Sequence, residues 1–317
     1  MKKLLLVLSV AMVVFFFFFY LIIPEKIPVS SVATINTTDN GTQRFLIDET
    51  QWNKWWHYQD TSGNINKQAN SSAFVANNTL FSIKEKLYRS LLIGIVYQQE
   101  HIDSKLTVIP LELDSTAVEW QFSLNSGYNP FRRIKQYLIA RSVKKEMDDV
   151  LQHLQHFLSK NENIYGISIQ KETTKDTLYL TRKTFLQKEP GTAEIYQLIK
   201  TITDYAATKK LQPVGSPIYN ITLMQDQQYQ LMAGVPINKD LPDANGYSTK
   251  HMVKGSFMTT DVIGGVTEVQ KASHALKQYF SDYRKTSMAM NFTMLVTDRL
   301  FQPDSSKWVS KLYMPVY

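Results

Sequence analysis

"KWVSKLYMPVY", Lys307 to Tyr317, decides how the second half of this chain is read. Chain ends are usually small and polar, whereas this one carries aromatics, β-branched residues and a proline. Strand alternation places Trp308, Ser310, Leu312 and Met314 on one face and Val309, Lys311 and Tyr313 on the other. The stretch therefore reads as a packed strand with a lysine in the middle of one face.

Outward from this strand, the second half repeats itself. "DTLYLTRKTF" is strand-like, "TAEIYQLIKTITDYAATKK" helical, and "SPIYNITL" and "YQLMAGVPI" are strand-like. "KGSFMTTDVIGG", "VTEVQKASHALKQYFSDYRK", "MNFTMLVTD" and "WVSKLYMPV" follow the same order of strand, helix, strand, strand. Both runs end in a hydrophobic pair around a proline, "GVPI" and "YMPV". Such a repeat implies a duplicated unit with pseudo-two-fold symmetry, two sheets joined at the axis, and a groove there. Concave apolar grooves are where small ligands sit. Tyr179, Tyr219, Phe257, Trp308, Lys311 and Tyr313 fall on the strands expected to face that groove, and are the candidate ligand-binding residues. Tyrosine, apolar in its body and polar at its tip, suits a ligand wall. For Lys311 three roles stay open. It selects an anionic ligand, or it lays its stem along the strand with its head in water, or it forms an ion pair inside the domain.

The first half has a different order. "SVATIN" reads as a strand, and "TQRFLIDETQWNKWW" as short helical turns carrying Trp52, Trp55 and Trp56. Residues 59–72 are polar and loop-like. Strands are expected at about 78–86, 90–98, 104–112 and 116–124. Ile134, Leu138, Met147, Leu151, Leu154 and Leu158 recur at helical spacing, so Phe131 to Lys160 reads as one long amphipathic helix with a possible break at Ser142. This order suggests a curved antiparallel sheet wrapped on the helix. Trp52, Trp55, Trp56 and Trp120 either close the mouth of a first-domain cavity or cap its core. The fold class is α+β, with boundaries at 1–27 (apolar segment and linker, the linker taken as residues 24–30), 28–161 and 162–317.

Lys2 and Lys3 precede "LLLVLSVAMVVFFFFFYLII", residues 4–23, which no charge interrupts. As a helix it spans roughly 30 Å, the thickness of a hydrocarbon core. It runs into "PEKIP" without a small-residue cleavage site, so an uncleaved single-pass anchor is favoured over a signal peptide. Lysines retained on the cytoplasmic side place the remainder outside the cytoplasm, at the inner (cytoplasmic) membrane.

The 317 residues carry a net charge of +7, modest for the length and weakly clustered, which argues against a nucleic-acid partner. The absence of cysteine excludes a thiol nucleophile, Cys-based metal sites and disulfides. His153 and His156 sit i, i+3 on the long helix, with Asp149 four residues before His153, but no third strong ligand set accompanies them; no metal or cofactor is expected. "GGVTEV" at 264–269 lacks the lysine and serine of a phosphate loop.

"PDSSKWVSKLYMPV", with "LQPVGSPIYNI" and "AGVPI", resembles the GyrI-like effector-binding domains found also in AraC-type regulators, over about residues 163–317. "WNKWW", "AVEWQFSL", "YNPFRRI" and "DDVLQHLQHFL", in that order, are similar to the START-like polyketide-cyclase superfamily (SRPBCC). The joint resemblance is to membrane-anchored bacterial proteins. It implies a helix-grip domain followed by a duplicated β-α-β-β domain with antiparallel sheets. It also implies binding of small, often cationic or amphipathic compounds, with hydrolysis of strained rings in some related proteins. Both groups typically carry an acid three positions after the tryptophan of the last strand; here that position is Lys311.

The sequence thus favours a membrane-anchored, non-catalytic protein that binds an amphipathic or hydrophobic small molecule in the groove of its second domain. A hydrolase acting on a small hydrophobic substrate is the alternative, with Glu194 or Glu268 as its carboxylate. A second alternative is a protein or lipid interaction module that presents the Trp cluster. A protein partner is not identified by the sequence.

Overall fold

In the computed structural model, residues 20, 22–56, 73–252 and 254–316 are described. Nearly all of the apolar segment 4–23 lies outside them. Among the described residues no helix is long and apolar enough to cross a membrane. The chain divides into two compact units, Met1–Lys160 and Asn161–Tyr317.

The first unit is a six-stranded antiparallel sheet of order β1-β6-β5-β4-β3-β2. Its strands are β1 (Lys26–Ile35), β2 (Ala73–Ala76), β3 (Thr79–Leu87), β4 (Ser90–Tyr97), β5 (Glu100–Glu112) and β6 (Ser115–Asn125). Residues 26–30, read above as linker, are the start of β1. They pair with β6 in one continuous register from Lys26↔Asn125 to Ile35↔Thr116. Pro28 is tolerated because β1 is an edge strand. Burial alternates strictly along β1, as expected of a strand with one wet face.

Helices α1 (Asp39–Ile47) and α2 (Glu49–Trp55) follow β1. Thr38 and Asp48 cap them, each accepting a backbone N–H from the first turn. The long helix α3 (Pro130–Leu158) runs unbroken through Ser142, about 43 Å at 1.5 Å per residue. Asn129 accepts from the Phe131 and Arg132 amides, and Pro130 sits in the first turn, where its missing N–H costs nothing. The buried face is Ile139, Val143, Met147, Val150, Leu151, Leu154 and Leu158, which packs on β1 and β6. Leu138, counted above in that face, is 56% exposed, while Arg133 and Gln136 are buried. Arg133 is positioned by hydrogen bonds to three carbonyls, of Tyr20, Ile23 and Gly127, at 2.8–2.9 Å. It therefore ties the start of α3 to the chain entering β1.

The second unit begins with a short helix α4 (Asn161–Tyr165) and holds one eight-stranded antiparallel sheet, order β11-β8-β10-β9-β13-β14-β12-β7. These are β7 (Gln170–Thr173), β8 (Thr177–Leu186), β9 (Ile218–Leu223), β10 (Tyr229–Ile237), β11 (Tyr247–Met252), β12 (Ser256–Ile263), β13 (Phe292–Leu295) and β14 (Val309–Pro315). Helix α5 (Thr192–Thr208) lies between β8 and β9 in the chain, and α6 (Val266–Asp282) between β12 and β13. The two sheets expected from sequence are continuous. Backbone pairing of β9 with β13, at Tyr219↔Thr293 and Ile218↔Met294, joins them. The edge strands β7 and β11 were not legible, being short and polar.

Both helices cover the same face of this sheet. Ile195, Leu198, Ile199 and Ile202 of α5 pack on Leu180, Tyr219, Leu231, Ala233 and Val235. Val269, Ala272, Leu276 and Phe280 of α6 pack on Met258, Val262, Leu312 and Met314. Strand alternation then turns Tyr179, Ile218, Phe257, Phe292 and Tyr313 to the other face, where they form a separate apolar cluster.

Candidate functional site

The helix-free face of the second unit carries the candidate site. Phe292 and Tyr313 face each other across β13 and β14 and stack, with ring centroids 4.7 Å apart and planes at 10°. Phe257, on β12, meets both rings edge-on at 5.7 and 5.9 Å. Such offset and T-shaped contacts add to the burial of the rings. Gly234 on β10 lets this floor close up. A methyl group there would come within 3.2–3.4 Å of Ile218, Thr181 and Tyr179.

Beside this cluster lies a cavity of about 620 Å³. Tyr179, Ile218, Phe257 and Phe292 form its apolar floor, and Met232, Met252 and Met290 its adaptable walls. Its volume is in the range that encloses a drug-sized molecule. Burial pushes the Tyr179 phenol above its usual range, with the Tyr313 phenol a lesser cause. Both hydroxyls therefore stay protonated at neutral pH, as hydrogen-bond donors.

The six residues singled out from the sequence do not all meet. Tyr179 and Phe257 line the cavity, and Tyr313 packs behind them. Tyr219 points to the opposite face, into the core under α5. Trp308 also leaves the groove. Its indole N–H donates to the Gln302 carbonyl at 2.6 Å, and the Arg299 guanidinium lies 4.6 Å from its ring. Lys311 shares the face of Tyr313 but is held by Glu172, Nζ to Oε1 2.5 Å, with Asp261 opposite it on β12 at 3.9 Å. Burial alone would pull its ammonium down. The Glu172 hydrogen bond, with Tyr313 and Asp261, more than offsets this and raises it. Of the three roles left open for Lys311, the geometry matches the internal ion pair. Its two acidic partners, Glu172 and Asp261, come from β7 and β12.

Sequence reasoning missed the cavity's charged rim: Lys183 on β8, Lys250 and His251 on β11, and Lys254. β11 is polar and short, so only its pairing with β8, Lys250↔Tyr179, places it here.

The four tryptophans of the first unit are mostly core. Trp52 and Trp120 are fully buried and Trp55 nearly so; Trp56 stacks on Trp52 at 5.4 Å and donates to the Val75 carbonyl. A cavity of about 890 Å³ in this unit is lined by strand residues such as Pro28, Lys84, Ile93, Asp103 and Phe122, and by none of these tryptophans. Glu194 accepts the Gly191 amide at 2.9 Å, the capping contact of α5, and Glu268 packs over Gly264 at the start of α6. His153 and His156 are exposed, and among the described residues no three metal-ligating side chains converge.

Neither a family model nor a curated protein sequence matches the chain. Solved structures are similar to it at low identity. The C-terminal domain of EcmrR is 11% identical, covering 48% of this chain and 98% of that one, with a TM-score of 0.41. SAV2435 bound to tetraphenylphosphonium is 16% identical over 48% and 94%, TM-score 0.35. A START superfamily protein from Mycobacterium smegmatis is 12% identical over 40% and 98%, TM-score 0.26.

Proposed function

We propose that this protein binds a small amphipathic or hydrophobic molecule, without catalysis, in the cavity of its second unit. The observation that carries the reading is the open space of about 620 Å³ over Tyr179, Ile218, Phe257 and Phe292. Eight strands bury one face under two helices and leave these apolar side chains on the other. An aromatic floor with methionine walls provides dispersion and shape adaptability rather than a reaction geometry. Glu194, one of the two carboxylates on which the hydrolase alternative leans, is occupied as a helix cap, and the other, Glu268, packs over Gly264 at the start of α6.

In this reading the second unit is a duplicated β-α-β-β domain, supported by the matching orders β8-α5-β9-β10 and β12-α6-β13-β14. Residues 4–23 anchor the chain, with its folded units outside the cytoplasm. The uninterrupted apolar run behind Lys2 and Lys3 supports this. Nucleic acid has no role in it, on the sparse clustering of Lys and Arg.

The test is a thermal-shift screen of the full chain against lipophilic compounds. A ligand at about a hundred times its dissociation constant adds roughly 2.7 kcal/mol to stability. Phe292→Ala, which takes a ring out of the cavity floor, should sharply reduce the shift. A shift left unchanged by this substitution sinks the assignment to this cavity.

A further inference from the structure

The cavity is apolar below and cationic above. Lys183, Lys250 and Lys254 stand on its rim, and its lining contains no aspartate or glutamate among the described residues. Lys250 is directly opposite Tyr179, and Lys183 directly opposite Met232, so both stems rise from the same face as the floor. Among the described residues none of the three makes an ion pair, although the chain forms them readily elsewhere, as at Lys200–Asp204 and Lys144–Asp148. The neighbouring acids are engaged. Asp176 accepts the Lys254 backbone amide at 2.7 Å, Asp240 lies 3.4 Å from His251, and Glu172 holds Lys311. Asp176 offsets Lys254 in part, which leaves Lys183 and Lys250 as the uncompensated charges.

We infer that the ligand is an amphipathic anion, whose ring or chain lies on Tyr179, Phe257 and Phe292 and whose carboxylate, sulfonate or phosphate meets Lys183 and Lys250. The inference rests on the cavity being the binding site and deepens that reading. Lysine suits the task because its stem packs along methionine and aromatic surface while its head remains in water. A head group held there keeps part of its hydration. The cavity floor supplies affinity and the lysines supply the sign of the charge. Each exposed ion pair is worth about a twofold to fivefold change in binding, and the rim together roughly tenfold.

Equilibrium dialysis of the full chain with three probes tests it: tetraphenylborate, tetraphenylphosphonium and neutral 1-anilinonaphthalene. The first two are alike in shape and opposite in charge. The expected result is binding of the borate at least about tenfold tighter than the phosphonium. The preference should shrink in about 0.5 M salt, because the lysines are exposed. The triple variant Lys183→Gln/Lys250→Gln/Lys254→Gln should lose it, and the triple arginine variant should keep it. Equal or reversed preference, or a preference unchanged in the glutamine variant, overturns the anion while leaving the cavity as the site. Saturable binding by none of the probes overturns both.

Discussion

The lysine in the closing strand gives the sharpest test of how the second unit is held together. Replacing Lys311 with methionine keeps the stem and removes the ammonium. Glu172 would lose its 2.5 Å partner, and Asp261 a weaker one at 3.9 Å. The Lys311 side chain is 19% exposed and that of Glu172 33%, so the pair is neither a surface bridge nor a buried one. A hydrogen bond to a charged group is worth about 1.5–3 kcal/mol, and a fully exposed pair about 0.2–1. Partial exposure puts the expected loss at about 1–2 kcal/mol. For a unit of this size that lowers the melting temperature by roughly 2–8 °C. A double-mutant cycle with Glu172→Gln, followed by urea unfolding, isolates the pair. Coupling near 1–2 kcal/mol is expected between positions in direct contact. The sign with pH is fixed by the raised ammonium. Its contribution is full below the ordinary lysine value of about 10.5 and is lost as pH rises through the higher folded value. Coupling under about 0.3 kcal/mol, or stability independent of Lys311 on both sides of that range, would refute the pairing and reopen the other two roles of Lys311.

Three further outcomes follow from the geometry. Burial pushes the Glu146 carboxyl above its usual range, more than offsetting the opposing effect of the Thr79 hydroxyl. Ionisation therefore opposes folding, stability falls as pH rises through that group's raised value, and Glu146→Gln should stabilise the first unit at pH 7 but not at pH 4, as urea titrations at the two values will show. Arg133→Met orphans three carbonyls and should cost about 3 kcal/mol, with faster amide exchange concentrated at residues 22–27. Phe292→Ala removes a ring stacked on Tyr313 and should cost about 3 kcal/mol while weakening every ligand of the cavity, whereas Tyr219→Phe, on the helix side of the sheet, should leave ligand affinity unchanged by titration.

Much of the secondary structure was legible because it depends on local pattern. Alternation marked β8, β10 and β14, and apolar residues three and four apart marked α5 and α6. The long helix was legible for the same reason. The face of its first turns was not, because Arg133 goes inside to satisfy carbonyls of Tyr20 and Ile23, on the chain entering β1 more than a hundred residues earlier. Alternation also told which residues of a strand share a face, but not which face the helices would take. Tyr179 and Tyr219 look alike in sequence, yet one lines a cavity and the other sits under α5.

By itself, then, the sequence determined the α+β class, the repeated order of elements, the apolar first segment, and the exclusion of thiol chemistry. Tertiary structure alone decided the rest. Pairing of β9 with β13 made one sheet of two halves. Pairing of β7 with β12 brought Glu172 to Lys311, 139 positions away. Pairing of β11 with β8 raised Lys250 over Tyr179. Backbone hydrogen-bonding groups are alike in nearly every residue, so the choice of neighbouring strand rests on how side chains from distant parts of the chain are buried together, which local alternation does not record.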